Sequence, residues 1–332
     1  MKLKWTEKKF CIIFLSLFFG FFLCVCVFNY SLDAYGVWRS SYESQVLEPN
    51  KNYVKTKHVI EHPGLYDSFF FGSSKVGHIE TNLLTDGHYY NMCYSEGIPA
   101  DWLVTIQTLI EHDVLIKNIA LGIDEFSFTL DPKEHQKNLL RIYYKDLTLE
   151  EKCKFYLLRN PFDLYNRTTI QAILQKQPPF LASDDLLGTG VAKGNDEILE
   201  LNMAEHLLSE RLKIPTDFYL LDRTDATLEE IKQIMTLCKE NDIALTIFFN
   251  PIHKLTYELH KESTEMAKDR LGKITGYWDF SGLNSITTDD YYWYETSHYR
   301  HNVGKMILER IYGIDTGETL PTDFGVYREI TP

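Results

Sequence analysis

The chain lacks the cysteine content of a protein held together by disulfides. Outside its first thirty residues it has three cysteines, an odd number widely spaced, so at most one disulfide can form. A hydrophobic core must therefore hold the fold, and 332 residues that are 44% hydrophobic are enough to build one. We expect one domain of roughly 250 to 300 residues with an insertion, because the chain is too short for two large domains. The three cysteines are Cys93, Cys153 and Cys238.

The chain also lacks the positive charge that a nucleic-acid-binding surface requires. It has 34 lysines and arginines against 47 aspartates and glutamates, a net charge of −13. The first nine residues hold four lysines and one glutamate, a sum of +3, so the remainder carries −16. Such an acidic body does not attract phosphate backbones or anionic lipid headgroups. We expect no nucleic-acid partner.

Clusters of metal-ligating residues are missing as well. His58 and His62 stand four residues apart, a spacing that can hold a metal ion on one helix face. No carboxylate or cysteine cluster accompanies them, so a pair of surface histidines is the favoured interpretation. We expect no metal and no cofactor.

Phe10 to Phe28 is a run of nineteen residues without a charge. At about 1.5 Å per residue it is just long enough to cross a hydrocarbon core of about 30 Å. Residues 1–30 are therefore predicted to be a cytoplasmic tip and a transmembrane anchor, and 31–65 a connecting segment. A cleaved signal peptide is the alternative, but the small residues of a cleavage site are missing. Lysines precede the run and no such cluster follows it, which predicts that the N-terminus is inside and the rest outside. These lysines are Lys2, Lys4, Lys8 and Lys9.

Apolar runs alternate with amphipathic helical patterns along residues 66–315. Each run ends on glycine or polar residues, as buried parallel strands do in a doubly wound sheet. We therefore predict an α/β domain with a mostly parallel five-stranded sheet. An insertion at about 126–221 interrupts this alternation of strands and helices. It is either a lid or docking surface or an inert elaboration. Residues 316–332 are predicted to be a tail. The predicted strands are 68–72, 88–92, 117–124, 243–249 and 275–280.

Gly72-Ser73-Ser74 follows the first apolar run directly. Glycine permits a sharp turn at the carboxyl end of a strand, which is where ligands bind in open α/β sheets. The serine after such a turn can present its hydroxyl and its N–H to a substrate. Ser74 is therefore a candidate nucleophile, although a Gly-Ser-Ser sequence is also ordinary turn chemistry.

His298 lies at the sheet edge just before the C-terminal helical pattern, and Glu295 precedes it by three residues. That spacing lets the carboxylate accept a hydrogen bond from one ring nitrogen while the other faces a serine. We expect His301, one turn later, to face solvent. Aromatic residues crowd this loop, and they either stack on sugar rings or pack the core. They are Tyr291, Tyr292, Trp293, Tyr294 and Tyr299.

Four short blocks in chain order resemble those of the SGNH hydrolase superfamily. They are Gly72-Ser73-Ser74, Asn91 to Gly97, Gly122-Ile123-Asp124-Glu125 and Glu295-Thr296-Ser297-His298. With its N-terminal anchor, the chain is similar to the membrane-tethered branch that contains the D-alanyl transfer protein of teichoic-acid synthesis and the alginate O-acetylation proteins.

This resemblance implies a three-layer, flavodoxin-like α/β/α fold and an anchor in the bacterial cytoplasmic membrane. It implies a serine esterase or O-acyltransferase that acts on a cell-surface glycan through an acyl-Ser74 intermediate, with His298 as base and Glu295 as its orienter. The expected partners are a glycan or acylated carrier and a multispanning acyltransferase. The oxyanion or pocket positions that it implies are Gly72, Asn91, Ser95, Glu96 and Asp124.

Two residues depart from the family pattern. Asp124 stands where the family has an asparagine, and an ionised carboxylate cannot donate to an oxyanion. Glu295 stands in place of an aspartate. Either the N–H groups of Ser74 and the second block form the oxyanion hole while Asp124 is protonated or turned away, or activity is weak or lost. The alternatives to an esterase or acyltransferase are a non-catalytic scaffold or glycan-binding partner of a membrane acyl exporter and, less favoured, a lipase.

Overall fold

The chain divides into two compact units by its internal contacts. Residues 1–50 and 145–182 form the first unit, and residues 51–144 and 183–332 form the second. The connecting segment predicted at 31–65 is thus shared between them. The computed structural model describes residues 5–38, 49–138, 140–144, 148–158, 196, 199–217 and 222–331.

The first unit is built around one long helix, α1 (Trp5–Leu32). Its mean hydropathy of 2.9 and its 27-residue span from Thr6 make it long and apolar enough to cross a membrane. Lys8 and Lys9 lie on its first turns, whereas Lys2 and Lys4 lie outside the described residues. The predicted anchor is therefore present as a helix of the required length and composition.

The second unit is an α/β domain with a six-stranded, mostly parallel sheet. The strand order is β2-β1-β3-β4-β5-β8, and β8 alone runs antiparallel to its neighbour. The predicted α/β class and mostly parallel sheet are confirmed, but five strands is wrong: β8 lies in the segment predicted to be a tail. The strands are β1 (Ser68–Gly72), β2 (Tyr89–Asn91), β3 (Asn118–Ile123), β4 (Ala244–Phe249), β5 (Tyr277–Asp279), the hairpin of β6 (Trp293–Glu295) and β7 (His298–Tyr299), and β8 (Val326–Arg328).

Helices pack on both faces of this sheet because its central strands are buried on both sides. In β1, Phe69 and Phe71 belong to one core, and Phe70 between them belongs to the other. The first core includes α3, α7 and α8, and the second includes α9. The helices in chain order are α2 (Lys51–Glu61), α3 (Pro99–Glu111), α4 (Pro132–His135), α5 (Leu149–Lys152, in the first unit), α6 (Met203–His206), α7 (Thr224–Glu240), α8 (Lys254–Gly272) and α9 (His301–Tyr312).

The segment after the Ser74 turn is more tightly wound than an α-helix. It forms two short 3₁₀ helices, Val76–His78 and Thr81–Leu83. The backbone of α9 passes very close to the first of them: a Cβ on Gly304 would lie 2.0 Å from the carbonyl oxygen of His78. A full α-helical turn has a larger radius than a 3₁₀ turn, so close packing favours the tighter winding.

Candidate active site

The candidate nucleophile stands on a tight turn at the carboxyl end of β1. The turn is closed by hydrogen bonds from Val76 N–H to Ser73 O (3.1 Å) and from Gly77 N–H to Ser74 O (3.1 Å). A Cβ on Gly72 would lie 2.2 Å from Cγ2 of Val76, so only glycine fits there. Ser73 is fully buried, whereas Ser74 is partly exposed. The turn therefore presents Ser74 to solvent and keeps Ser73 inside.

The base and its orienter stand on the β6–β7 hairpin, where Glu295 is paired with His298. Nε2 of His298 lies 2.7 Å from Oγ of Ser74, although 224 residues separate them. On the other side of the ring, Nδ1 of His298 is hydrogen-bonded to Oε1 of Glu295. The structure thus brings together the three residues that the sequence predicts as a triad, in the order nucleophile, base, orienter.

Glu295 is held in place by Ser297 as well as by His298. Its Oε2 accepts hydrogen bonds from the Ser297 N–H (2.8 Å) and hydroxyl (2.5 Å). Burial alone would raise the pKa of Glu295, but the hydrogen bonds and charge of His298 and the bonds from Ser297 outweigh it and lower the pKa to about 2. Because an ionised carboxylate only accepts, Nδ1 of His298 donates, which leaves Nε2 as the acceptor facing Ser74.

A buried ion cluster lies directly behind the nucleophile turn. Lys75, the residue after Ser74, bonds both carboxylate oxygens of Glu125 (2.9 and 2.8 Å) and lies 3.4 Å from Oδ1 of Asp124. All three side chains are at most 3% exposed. The cluster joins the turn after β1 to the turn after β3, its neighbour in the sheet. Sequence reasoning missed Lys75 because a lysine in a polar turn looks like a solvated surface residue.

Asp124 points into this cluster. It caps the 3₁₀ helix Glu125–Phe128, and its own N–H donates to Oγ of Ser127 (3.2 Å). Burial raises the pKa of the Asp124 carboxyl to about 6, against the opposing effect of Lys75. Neither oxygen of the buried Asp124 carboxylate accepts a hydrogen bond from the described residues, so its closest charged partner is Lys75 at ion-pair distance.

The second sequence block is placed differently from the expectation. The amide of Asn91 donates to the carbonyls of Val76 (2.9 Å) and Ile79 (3.3 Å) and accepts from the Cys93 N–H (3.0 Å). Asn91 is fully buried, so it braces the segment after Ser74 from inside and is not the pocket residue that the resemblance implies.

The loop after Asn91 approaches the nucleophile turn closely. A Cβ on Gly97 would lie 2.4 Å from the carbonyl oxygen of Gly72. Glu96 has a φ of +55°, and its carboxylate pairs with Arg141 (2.6 Å). In the part of the chain that the structure describes, the N–H groups of Ser74, Ser95 and Glu96 donate no hydrogen bond. These are the backbone groups that the sequence suggests for an oxyanion hole.

The aromatic residues around His298 have different surroundings. Trp293 and Tyr299 are fully buried, and Trp293 donates from Nε1 to the carbonyl of Ile286 (3.2 Å), so both belong to the core. Tyr294 is partly exposed, and its ring lies tilted against that of His78, with centroids 5.2 Å apart. His78 in turn lies edge-on to His298 at 5.8 Å. No local pattern in the sequence singles out His78.

Three further histidines, His301 and the pair His58 and His62, lie outside the triad. His301 is buried beside Glu80, 3.3 Å from Nε2 to Oε2, so the expectation that it faces solvent is wrong. The rings of His58 and His62 are tilted against each other with centroids 4.3 Å apart, and burial lowers the pKa of His58. No group of three or more possible metal ligands occurs among the described residues.

No protein-family model matches the chain, and no curated protein matches its sequence. The chemistry open to the site therefore follows from its residues: an activated hydroxyl, a base in the correct tautomer and an ionised orienter support acyl transfer through a covalent intermediate.

Proposed function

We propose that this protein is a membrane-anchored serine esterase or O-acyltransferase of the SGNH type, with its α/β domain outside the cytoplasm. One observation carries the proposal: Oγ of Ser74 lies 2.7 Å from Nε2 of His298, whose Nδ1 is bonded to the ionised Glu295. This is the geometry by which a base activates a serine nucleophile.

The reaction begins when Oγ of Ser74 attacks the carbonyl carbon of an acyl ester and Nε2 of His298 takes the hydroxyl proton. The carbonyl π electrons move to oxygen, where the N–H of Ser74 and an N–H of the second block are the candidate donors to the oxyanion. As the carbonyl re-forms, the bond to the alcohol oxygen breaks and His298 returns the proton to that oxygen. The products are acyl-Ser74 and a free alcohol.

The second half repeats these steps with a new nucleophile. A hydroxyl of an acceptor, or water, gives its proton to His298 and attacks the acyl-Ser74 carbonyl. Ser74 leaves with the proton that His298 returns. A glycan hydroxyl gives O-acyl transfer, and water gives hydrolysis.

The substrate class follows from the membrane helix and the resemblance. A helix able to span a membrane precedes the domain, and the lysines at its start favour a cytoplasmic N-terminus. The outer domain then faces cell-envelope polymers. We infer that the acceptor is a cell-surface glycan, that the acyl group is small, such as acetyl, and that a multispanning partner supplies it.

A fluorophosphonate probe tests the proposal, because it reacts with activated serines. We expect the purified protein to be labelled at Ser74, and we expect both Ser74→Ala and His298→Ala to abolish labelling. Ser285→Ala, which removes a serine bonded to the carboxylate of Asp323, is the control and should label normally.

Asp124 favours a second candidate, a non-catalytic scaffold that binds a glycan or an acyl exporter. Its carboxylate stands where the resembled family has an oxyanion donor. A folded wild-type protein that fails to react with the probe would support the scaffold over the enzyme.

A further inference from the structure

Arg300 is a completely buried cation near the candidate base. Its Nε donates to Asp196 (3.0 Å), its Nη2 to Glu200 (2.8 Å) and its Nη1 to the carbonyl of Tyr291 (3.1 Å), and its side chain is 0% exposed. The guanidinium also lies 4.7 Å from the ring centroid of Tyr291. Such a set of contacts fixes the planar group in one orientation.

Arg300 joins the hairpin to the helix that follows it. It comes directly after β7, two residues beyond His298, and its N–H donates to the carbonyl of Tyr292 (2.7 Å). It is also the N-cap residue of α9. Only two peptide units of backbone therefore separate Arg300 from the base.

Both carboxylates that hold Arg300 come from the far end of the insertion. We call Asp196 and residues 199–217 the return segment. Asp196 also accepts from the hydroxyl of Tyr294 (2.8 Å), the residue before Glu295. Nε2 of His206 donates to the carbonyl of Trp293 (2.8 Å), and the hydroxyl of Thr296 donates to the carbonyl of Ile214 (2.5 Å). The return segment thus bonds to the hairpin along its length.

The hairpin needs this support because it is small. β6 has three residues and β7 has two, with an irregularity in the register between Trp293 and Glu295. A two-stranded hairpin is only marginally stable on its own. Yet it must hold Nε2 of His298 in hydrogen-bonding distance of Ser74, and a misplacement of about 1 Å can reduce a rate about 10²-fold.

We propose that Arg300 is a positioning residue for His298, and that the return segment is a functional part of the catalytic centre. Arg300 clamps the return segment to the hairpin, and the clamp sets the distance from the base to Ser74. This inference rests on the proposed esterase or acyltransferase function. It gives the end of the insertion a role other than the two left open, a lid or docking surface and an inert elaboration, because the return segment holds the base.

The test compares Arg300→Met with Arg310→Met in the full-length protein. Arg310 lies within α9, the helix whose N-cap is Arg300. It donates to the carbonyls of Phe324 (2.8 Å) and Pro321 (2.6 Å), so it contacts the C-terminal segment and not the hairpin. With a small acetyl ester, Arg300→Met should lower kcat about 10²-fold with KM changed less than about threefold. Arg310→Met should keep kcat. Arg300→Lys should recover little of the lost kcat, because the ammonium of lysine cannot donate in the fixed planar geometry of a guanidinium.

Hydrogen exchange of the backbone amides at 293–299 provides a readout that does not depend on activity. It should be faster in Arg300→Met than in Arg310→Met. If Arg300→Met does not fold, Asp196→Asn and Glu200→Gln remove one partner each and should show smaller changes in the same direction.

The outcomes separate the two proposals. Equal kcat or equal hairpin exchange in the Arg300 and Arg310 variants overturns the positioning role. A wild-type protein without esterase turnover or probe labelling, together with faster hairpin exchange in Arg300→Met, overturns the proposed function and supports the clamp as a structural feature.

Discussion

Asp124 is a carboxylate buried behind the nucleophile turn, and its charge depends on pH near neutrality. Burial raises its pKa to about 6, although Lys75 opposes this, and Lys75 makes its two shortest contacts with Glu125. Above that pH the cluster holds one cation and two carboxylates, a net charge of −1. A buried excess negative charge is costly, so Asp124 makes the folded protein less stable as the pH rises.

Replacing Asp124 with asparagine should remove this pH dependence. The folded carboxyl keeps its proton up to about pH 6, whereas the unfolded one loses it near 3.8. The folded state therefore binds more protons between these values, and wild-type stability falls across that window. The difference in unfolding free energy between Asp124→Asn and wild type should therefore shift in favour of the variant between pH 4 and pH 7, by at most about 3 kcal/mol. Denaturant unfolding at both pH values measures the gain.

The control for this substitution is Asp269→Asn, an exposed aspartate on α8. It should leave the difference between the two pH values unchanged. Turnover of an acetyl ester by Asp124→Asn should stay within about threefold of wild type, because the carboxylate lies beside the cation of Lys75, 3.4 Å from Oδ1 to Nζ. A rise of about tenfold or more would mean instead that its charge opposes the oxyanion.

At the scale of the elements, α9 packs directly on the 3₁₀ helix Val76–His78. This contact joins the segment that follows Ser74 to the helix that follows His298. The absence of a side chain at Gly304 lets the helix backbone touch the carbonyl of His78. A methyl group there cannot be absorbed by a flexible side chain, because the atom that it meets is backbone. The helix or the turn would have to move.

Gly304→Ala should therefore destabilise the protein by about 2 to 3 kcal/mol and slow the reaction of Ser74 with a fluorophosphonate. Gly272→Ala is the matched control, since its Cβ would meet nothing closer than 3.6 Å at the end of α8. In a helix, alanine without a clash is favoured over glycine by up to about 1 kcal/mol. Thermal unfolding of the two variants should shift in opposite directions, and equal shifts would contradict the close packing.

Sequence predicted the elements that are buried on both faces and missed those that depend on tertiary packing. β1, β3 and β4 lie within one residue of the predicted strands because continuous apolar runs have little alternative to a buried strand. β8 was missed because all three of its residues are exposed, so no burial pattern marks it.

The site shows the same division. Ser74, His298 and Glu295 each follow from a local pattern at a strand end. Asn91 and His301 were assigned wrongly, because a polar residue near such an edge can point either way, and only the packed structure shows that both are buried. Lys75 and Arg300 had no local signal, since their partners lie 50 or about 100 residues away.

The whole molecule combines a membrane-length helix with an acidic domain. We expect a single-pass topology with the N-terminus inside, because four lysines precede the uncharged run Phe10 to Phe28 and the chain after α1 carries −16. A reporter that works only in the cytoplasm should be silent when fused after Pro332 and active when fused before Met1. Activity at both ends, or at Pro332 alone, would contradict the topology and the envelope substrate.

The 224 residues between Ser74 and His298 affect how the protein is made. Ser74 is synthesised 224 residues before His298, and the sheet that brings the two together consists mostly of non-local parallel pairings, which form slowly. A chain that stops before the hairpin therefore has a serine without its base. Under the proposed function, such a truncated chain should not cleave an acyl ester.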